Sequence, residues 1–159
     1  GDNRMSNETN IEQPRSAIAV TYTLTLTEAQ ARALSMACDV FARLGMGKFT
    51  DALQHLPKKE GIDWFMWHDD MHTISDLLSK HMPGINGINS SIGISRADSE
   101  SQVAWDLHAV IRHRLSWDRA TKEGVTDGKT RNWTGGMRGV NFDEPFHYST
   151  EPLAKMERA

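Results

Sequence analysis

The stretch TEAQARALSMACDVFARLGMGK, residues 27–48, decides the fold class. Thr27 followed by Gln30 has the spacing of a capping box, in which each side chain satisfies a backbone N–H that an opening helical turn leaves unpaired. Leu34, Cys38, Phe41 and Leu44 then recur at helical spacing and predict a helix over about 28–44 with an apolar stripe. Gly45-Met46-Gly47 breaks it. A short helix is predicted over 48–56, carrying Phe49, Ala52, Leu53 and Leu56, and Pro57 stops it.

The same periodicity extends outward. A third helix is predicted over about 63–82, with Asp63 as N-cap, Pro83-Gly84 as its stop, and a stripe of Trp64, Trp67, Met71, Ile74, Leu78 and Met82. A fourth is predicted over about 99–119, opened by a second capping box at Ser99 and Gln102, with Val103, Leu107, Val110 and Ile111 as its core face. Upstream, AVTYTLTL at 19–26 alternates apolar residues with threonine, the period of a half-buried strand. One strand is not stable alone. Its expected partner is a short strand at 91–95 or its own copy in a second subunit.

After Ala120 the periodicity ends. A tail of roughly 40 residues is too long for a plain loop in a compact domain. Trp133, Phe142, Phe146 and Tyr148 favour its docking on a surface. The expected fold is therefore mainly α: a four-helix core with a minor β element (strand near 19–26) and a long irregular C-terminal tail. The expected organisation is a flexible N-terminal arm at 1–17, a helical core domain at 18–120, and an extended aromatic-containing tail at 121–159. The lone strand and the tail point to a homo-oligomer.

Composition narrows the classes. At 159 residues, 38% hydrophobic and 25% charged, the chain is long and apolar enough to bury one core. Its one cysteine, Cys38, excludes an internal disulfide and a cysteine zinc cluster. No apolar run approaches the roughly 20 residues of a membrane span. The polar first dozen residues lack the apolar stretch of a secretory signal, so a cytoplasmic location is expected. A net charge of −3 disfavours long nucleic acid as a partner. Residues 112–138 are nonetheless locally basic, from Arg112 to Arg138, and suit a small anion.

Several constellations bear on chemistry. Arg43, Gly45, Met46, Gly47 and Lys48 form a glycine-relaxed turn that reads as an anion nest in front of a helix N-terminus, or as an ordinary helix C-cap. It is not a P-loop, because Ala42 and Phe49 stand where that pattern needs Gly and Ser or Thr. At the end of the fourth helix, Trp105, His108 and Arg112 share a face, joined by His113, Arg114 and Trp117. A guanidinium beside an indole and an imidazole can clamp phosphate and stack a base. The same cations also suit a helix C-terminus. Arg114 falls in the core stripe, so it must snorkel or meet a carboxylate. His68 and His72 lie at i, i+4 beside Asp69, but the H-E-x-x-H pattern fails at Asp69. A two-histidine, one-carboxylate site built there with Asp69 needs a third ligand from elsewhere, such as His108 or His147. The expected assignment is no resident metal, no cofactor and no catalytic residue.

The segments Leu26-Thr27-Glu28-Ala29-Gln30-Ala31-Arg32, Phe41-Ala42-Arg43-Leu44-Gly45-Met46-Gly47, Val110-Ile111-Arg112-His113-Arg114-Leu115 and Glu151-Pro152-Leu153-Ala154-Lys155-Met156-Glu157 together form a distinctive pattern. In them the chain resembles a group of small phage-encoded proteins. The resemblance covers roughly residues 22–120 and 149–158, leaves out 121–148, and brings no catalytic assignment. It implies a protein of the infected host's cytoplasm that counters host defence, one route being to sequester a nucleotide signal. The expected function is accordingly non-catalytic binding of a small phosphorylated nucleotide through Arg43 to Lys48 and Trp105 to Trp117. Two alternatives are an inhibitor or adaptor of a host or phage protein, and a metal-dependent hydrolase at His68, Asp69 and His72.

Overall fold

The structure, a computed structural model, describes residues 20–85, 90–124 and 144–158. The predicted arm at 1–17, Ala19 of the predicted strand, and Trp133 and Phe142 of the tail lie outside the described residues. The order of elements is α1 (Glu28–Gly45), α2 (Phe49–Leu53), α3 (Trp64–Ser79), a 3-10 turn (Ile94–Arg96) and α4 (Ser99–Lys122). The architecture is mainly helical, as expected.

Helix starts follow their caps. Thr27 Oγ1 accepts from Gln30 N at 3.3 Å, and Gln30 Oε1 accepts from Thr27 N at 2.8 Å. Asp63 caps α3 by accepting from Phe65 N and Met66 N. The cap of α4 lies one residue before the expected one. Asp98, not Ser99, accepts from Ser101 N at 2.8 Å and also from Ser101 Oγ. A carboxylate there adds the favourable interaction of negative charge with the helix N-terminus. Gln102 reaches back instead to the carbonyls of Ile94 and Ala97 and closes the 3-10 turn.

The strand expectation is corrected. Among the described residues no strand forms: residues 20–27 run without a ladder partner, and Val20, Tyr22 and Leu24 face solvent, Tyr22 at 92%. The expected partner at 91–95 is used elsewhere, since Ile92 N and Ser91 Oγ both donate to Met46 O at the end of α1.

The main packing is α1 against α4, with α2 beside α1 and α3 on α2. The predicted apolar stripes are buried only in part: Phe49 and Ala52 of α2 are inside, as expected, and the longer helices divide. On α1 the buried residues are Ala31, Ser35, Asp39 and Ala42, whereas Phe41 is 50% exposed and Leu44 is also exposed. On α4 Val103 is exposed, while Val110 and Ile111 are buried with Ser101, Asp106, Ser116 and Ala120. On α3 only Met71 of the predicted stripe is buried, and Trp64, Ile74 and Leu78 are exposed. Small residues let helix axes approach closely, and the buried hydroxyl and carboxylate groups of Ser35 and Asp39 find partners across the gap.

Gly45 fixes the closest approach. A Cβ there would lie 1.8 Å from Ser101 Oγ and 2.6 Å from Ser101 Cβ. Helix propensity alone favours alanine over glycine by about 1 kcal/mol, but overpacking costs about 1–3 kcal/mol. Ser101 is buried and bonded to Asp98, so it has little room to yield. Gly45→Ala is therefore expected to destabilise the fold, read as a lower denaturation midpoint. An unchanged or raised midpoint contradicts this packing.

Candidate ligand-binding site

His108, Arg112 and Ser116 are spaced at i, i+4 and i+8 on α4 and share one ridge. A recess opens on each side of it. The first, about 200 Å³, lies between Trp105, His113 and the segment carrying Pro145, Phe146 and Tyr148. The second, about 520 Å³, lies between α4 and α1 and is edged by Arg32, Arg119, His55 and Asp39. Both recesses are lined by His108, Arg112 and Ser116. One side is aromatic, the other cationic.

The aromatic wall is tied down by Asp106. This carboxylate is buried, 4% exposed. It accepts from Tyr148 N at 3.0 and 3.2 Å, from Ser149 N at 2.9 Å and from Ser149 Oγ at 2.7 Å. A buried anion is tolerable when donors surround it. Here the donors come from a segment more than 40 residues downstream, so the bond set straps residues 144–149 across α4.

The cationic side is built around Asp39. Arg43 Nε lies 2.9 Å from both Asp39 oxygens, and Arg43 Nη1 lies 2.9 Å from Asp51 Oδ2. His55 Nε2 and His108 Nε2 stand 3.5 and 3.7 Å from Asp39. His108 Nδ1 is 2.9 Å from Ser35 O and fixes the ring against α1. Arg32 pairs with Glu28, while Arg112 and Arg119 have no carboxylate partner among the described residues. Arg112 is exposed, so its guanidinium is available to an incoming anion.

Burial pushes the His108 imidazole below the ordinary histidine range; Arg112 and Arg43 act in the same sense, against the Ser35 carbonyl and Asp39. The unfolded chain then binds a proton at a pH where the folded chain does not. The associated stability is present above about pH 6.5 and is lost as pH falls through the folded value. The denaturation midpoint is expected to drop between pH 7.5 and 5.5, and to drop less in His108→Gln. Equal drops in both proteins contradict this assignment.

The expected site residues separate. Trp105, Arg112 and His113 line the recesses. Arg43 adjoins them, its guanidinium 6.0 Å from the Trp105 ring centre. Arg114 meets a carboxylate, Asp118, one turn on, and Trp117 Nε1 donates to His113 Nε2 at 3.1 Å; neither Arg114 nor Trp117 lines a recess. The anion nest is corrected. Met46 N, Gly47 N and Lys48 N donate to the carbonyls of Ala42, Leu44 and Arg43, so the turn spends its N–H groups on capping α1. Gly45 is a packing residue, Met46 and Gly47 are buried, and Lys48 stands 3.9 Å from Asp51. Arg32, His55, Arg119 and Asp106 were not legible as site residues, because only the docking of α1 and of residues 144–149 on α4 brings them there.

Among the described residues no group of three or more metal-ligating side chains forms, so neither His108 nor His147 joins His68 and His72. No helix among them is long and apolar enough to cross a membrane. Comparison with protein-family models, with curated proteins and with solved structures gives no match.

Proposed function

We propose that the chain is a non-catalytic binding protein for one small phosphorylated nucleotide, laid across the ridge of α4. The observation that carries this reading is that Arg112 lines both the aromatic recess and the cationic one. Trp105, Phe146 and Tyr148 offer ring faces to a base, since base–aromatic stacking contributes about 1–3 kcal/mol per base. Arg112, Arg119 and Arg32 offer guanidinium groups to phosphate, whose planar donors match its oxygens. The resemblance to small phage-encoded proteins supports a role in sequestering a host-defence nucleotide in the cytoplasm of an infected cell. A homo-oligomer accords with the exposed apolar residues of α1 and α3.

Titration calorimetry with nucleoside monophosphates and dinucleotides tests the reading. It expects saturable binding of at least one phosphorylated nucleotide, with the matching nucleoside far weaker. Equal affinity for nucleoside and nucleotide, or no binding across the panel, removes the phosphate clamp.

The second reading, an inhibitor or adaptor that docks on a protein, draws on Trp64, Phe65 and Met66 at the start of α3, all exposed, Phe65 at 80%. A stoichiometric protein partner lost on Phe65→Asp, with nucleotide affinity unchanged, favours it.

A further inference from the structure

His68 and His72 lie one turn apart on α3, whose main packing is on α2. Their Nε2 atoms are 2.9 Å apart, and their ring centres 4.2 Å apart. Two nitrogens in adjacent positions around a metal, each about 2.0–2.1 Å from it and subtending a right angle, are separated by about 2.9 Å. The wider tetrahedral angle separates them by about 3.3–3.4 Å. The pair therefore already has the bite of a square or octahedral ion.

His68 Nδ1 faces Asp69 Oδ1 at 3.8 Å. That separation is beyond a direct hydrogen bond, so Asp69 adds negative charge beside the pair without fixing the ring. His72 Nδ1 is buried and has no hydrogen-bond partner. No neighbour holds it in one protonation state, so with an ion bound the ring's proton sits on Nδ1 and Nε2 is the ligating nitrogen. His68 is more than half exposed, so the point between the two nitrogens is reachable from solvent.

We propose that His68 and His72 form a two-imidazole chelate for a divalent copper or nickel ion. Imidazole nitrogen suits these ions, tetragonal geometry is theirs, and copper binds tightest in the divalent series. The cation replaces the proton that the two Nε2 atoms share, and that proton moves to His72 Nδ1. With two protein ligands, the remaining coordination positions belong to water or a small oxyanion. The site is independent of the nucleotide reading, since no residue of it lines either recess.

The test is titration of the full chain with Cu²⁺ and with Ni²⁺ at pH 7.5, read by calorimetry and, for copper, by electron paramagnetic resonance. The expected result is one saturable ion per chain with a two-nitrogen spectrum. His72→Ala and His68→Ala are each expected to lower the affinity at least about tenfold, with helicity unchanged, and His81→Ala to leave it unchanged. Unchanged affinity in both His68→Ala and His72→Ala, or no saturable binding to about 1 mM metal, overturns the proposal.

Discussion

Arg112→Glu is expected to reduce nucleotide affinity by at least about 100-fold while leaving the denaturation midpoint unchanged. A charge-assisted hydrogen bond contributes about 1.5–3 kcal/mol. Reversal also sets a carboxylate against phosphate, so the combined loss reaches about 3–4 kcal/mol, or two to three decades in Kd. Fold stability should not follow, because Arg112 is exposed and has no carboxylate partner among the described residues. Arg43→Glu should behave differently. It removes the guanidinium whose Nε donates to both oxygens of buried Asp39, and places a third carboxylate beside Asp39 and Asp51. Breaking such a pair by reversing one member costs about 3–5 kcal/mol, so this variant should lose stability along with binding. Calorimetry and thermal denaturation on both variants separate the roles. An Arg112→Glu protein that binds within threefold of the parent contradicts the clamp.

Asp106→Ala is expected to release residues 144–149 from α4 without unfolding α1 and α4. The substitution leaves Tyr148 N and Ser149 N without their acceptor, and leaves Ser149 Oγ only the 3.5 Å contact to Glu151 O. Each stranded donor costs about 1–3 kcal/mol if it stays buried. Detaching the segment lets water satisfy all of them, which is the cheaper outcome. Hydrogen exchange should show the amides of Tyr148 and Ser149 losing at least about 100-fold of their protection, with the amides of α4 little changed. Asp106→Asn, whose one carbonyl oxygen still accepts, should fall between the two. Retained protection at Tyr148 in Asp106→Ala contradicts the strap. Nucleotide affinity should fall in Asp106→Ala through the lost aromatic wall, whereas Arg112→Glu leaves the wall in place.

The parts of the fold set by nearest neighbours are legible in the sequence. Thr27 with Gln30 and Asp63 ahead of Trp64 act as caps within three residues of their targets, so local spacing suffices. Local spacing does not single out Asp98, because Ser99 and Gln102 offer the capping-box spacing one residue later. The choice turns on Ser101, whose N–H and hydroxyl both reach Asp98. Packing faces were less legible. Periodicity marks the apolar stripe of α1 at Leu34, Cys38, Phe41 and Leu44. Close approach to α4 selects instead the small residues on the neighbouring stripe, with Gly45 against Ser101. The grouping of Trp105, Arg112 and His113 followed from helical geometry alone. The nest at Gly45–Lys48 did not hold, because counting free N–H groups from glycines ignores the carbonyls that a helix end leaves in need of donors. The cationic recess depends on Arg32 of α1 facing Arg119 of α4, a juxtaposition that no local pattern carries.

Native mass spectrometry of the full chain after incubation with a mixed nucleotide pool tests the central claim most directly. It reports subunit number and bound mass together. The account predicts a mass increment of one phosphorylated nucleotide per site, present in the parent protein and absent in Arg112→Glu. A parent protein that emerges bare from the pool, or an Arg112→Glu protein that carries the same nucleotide mass, contradicts it.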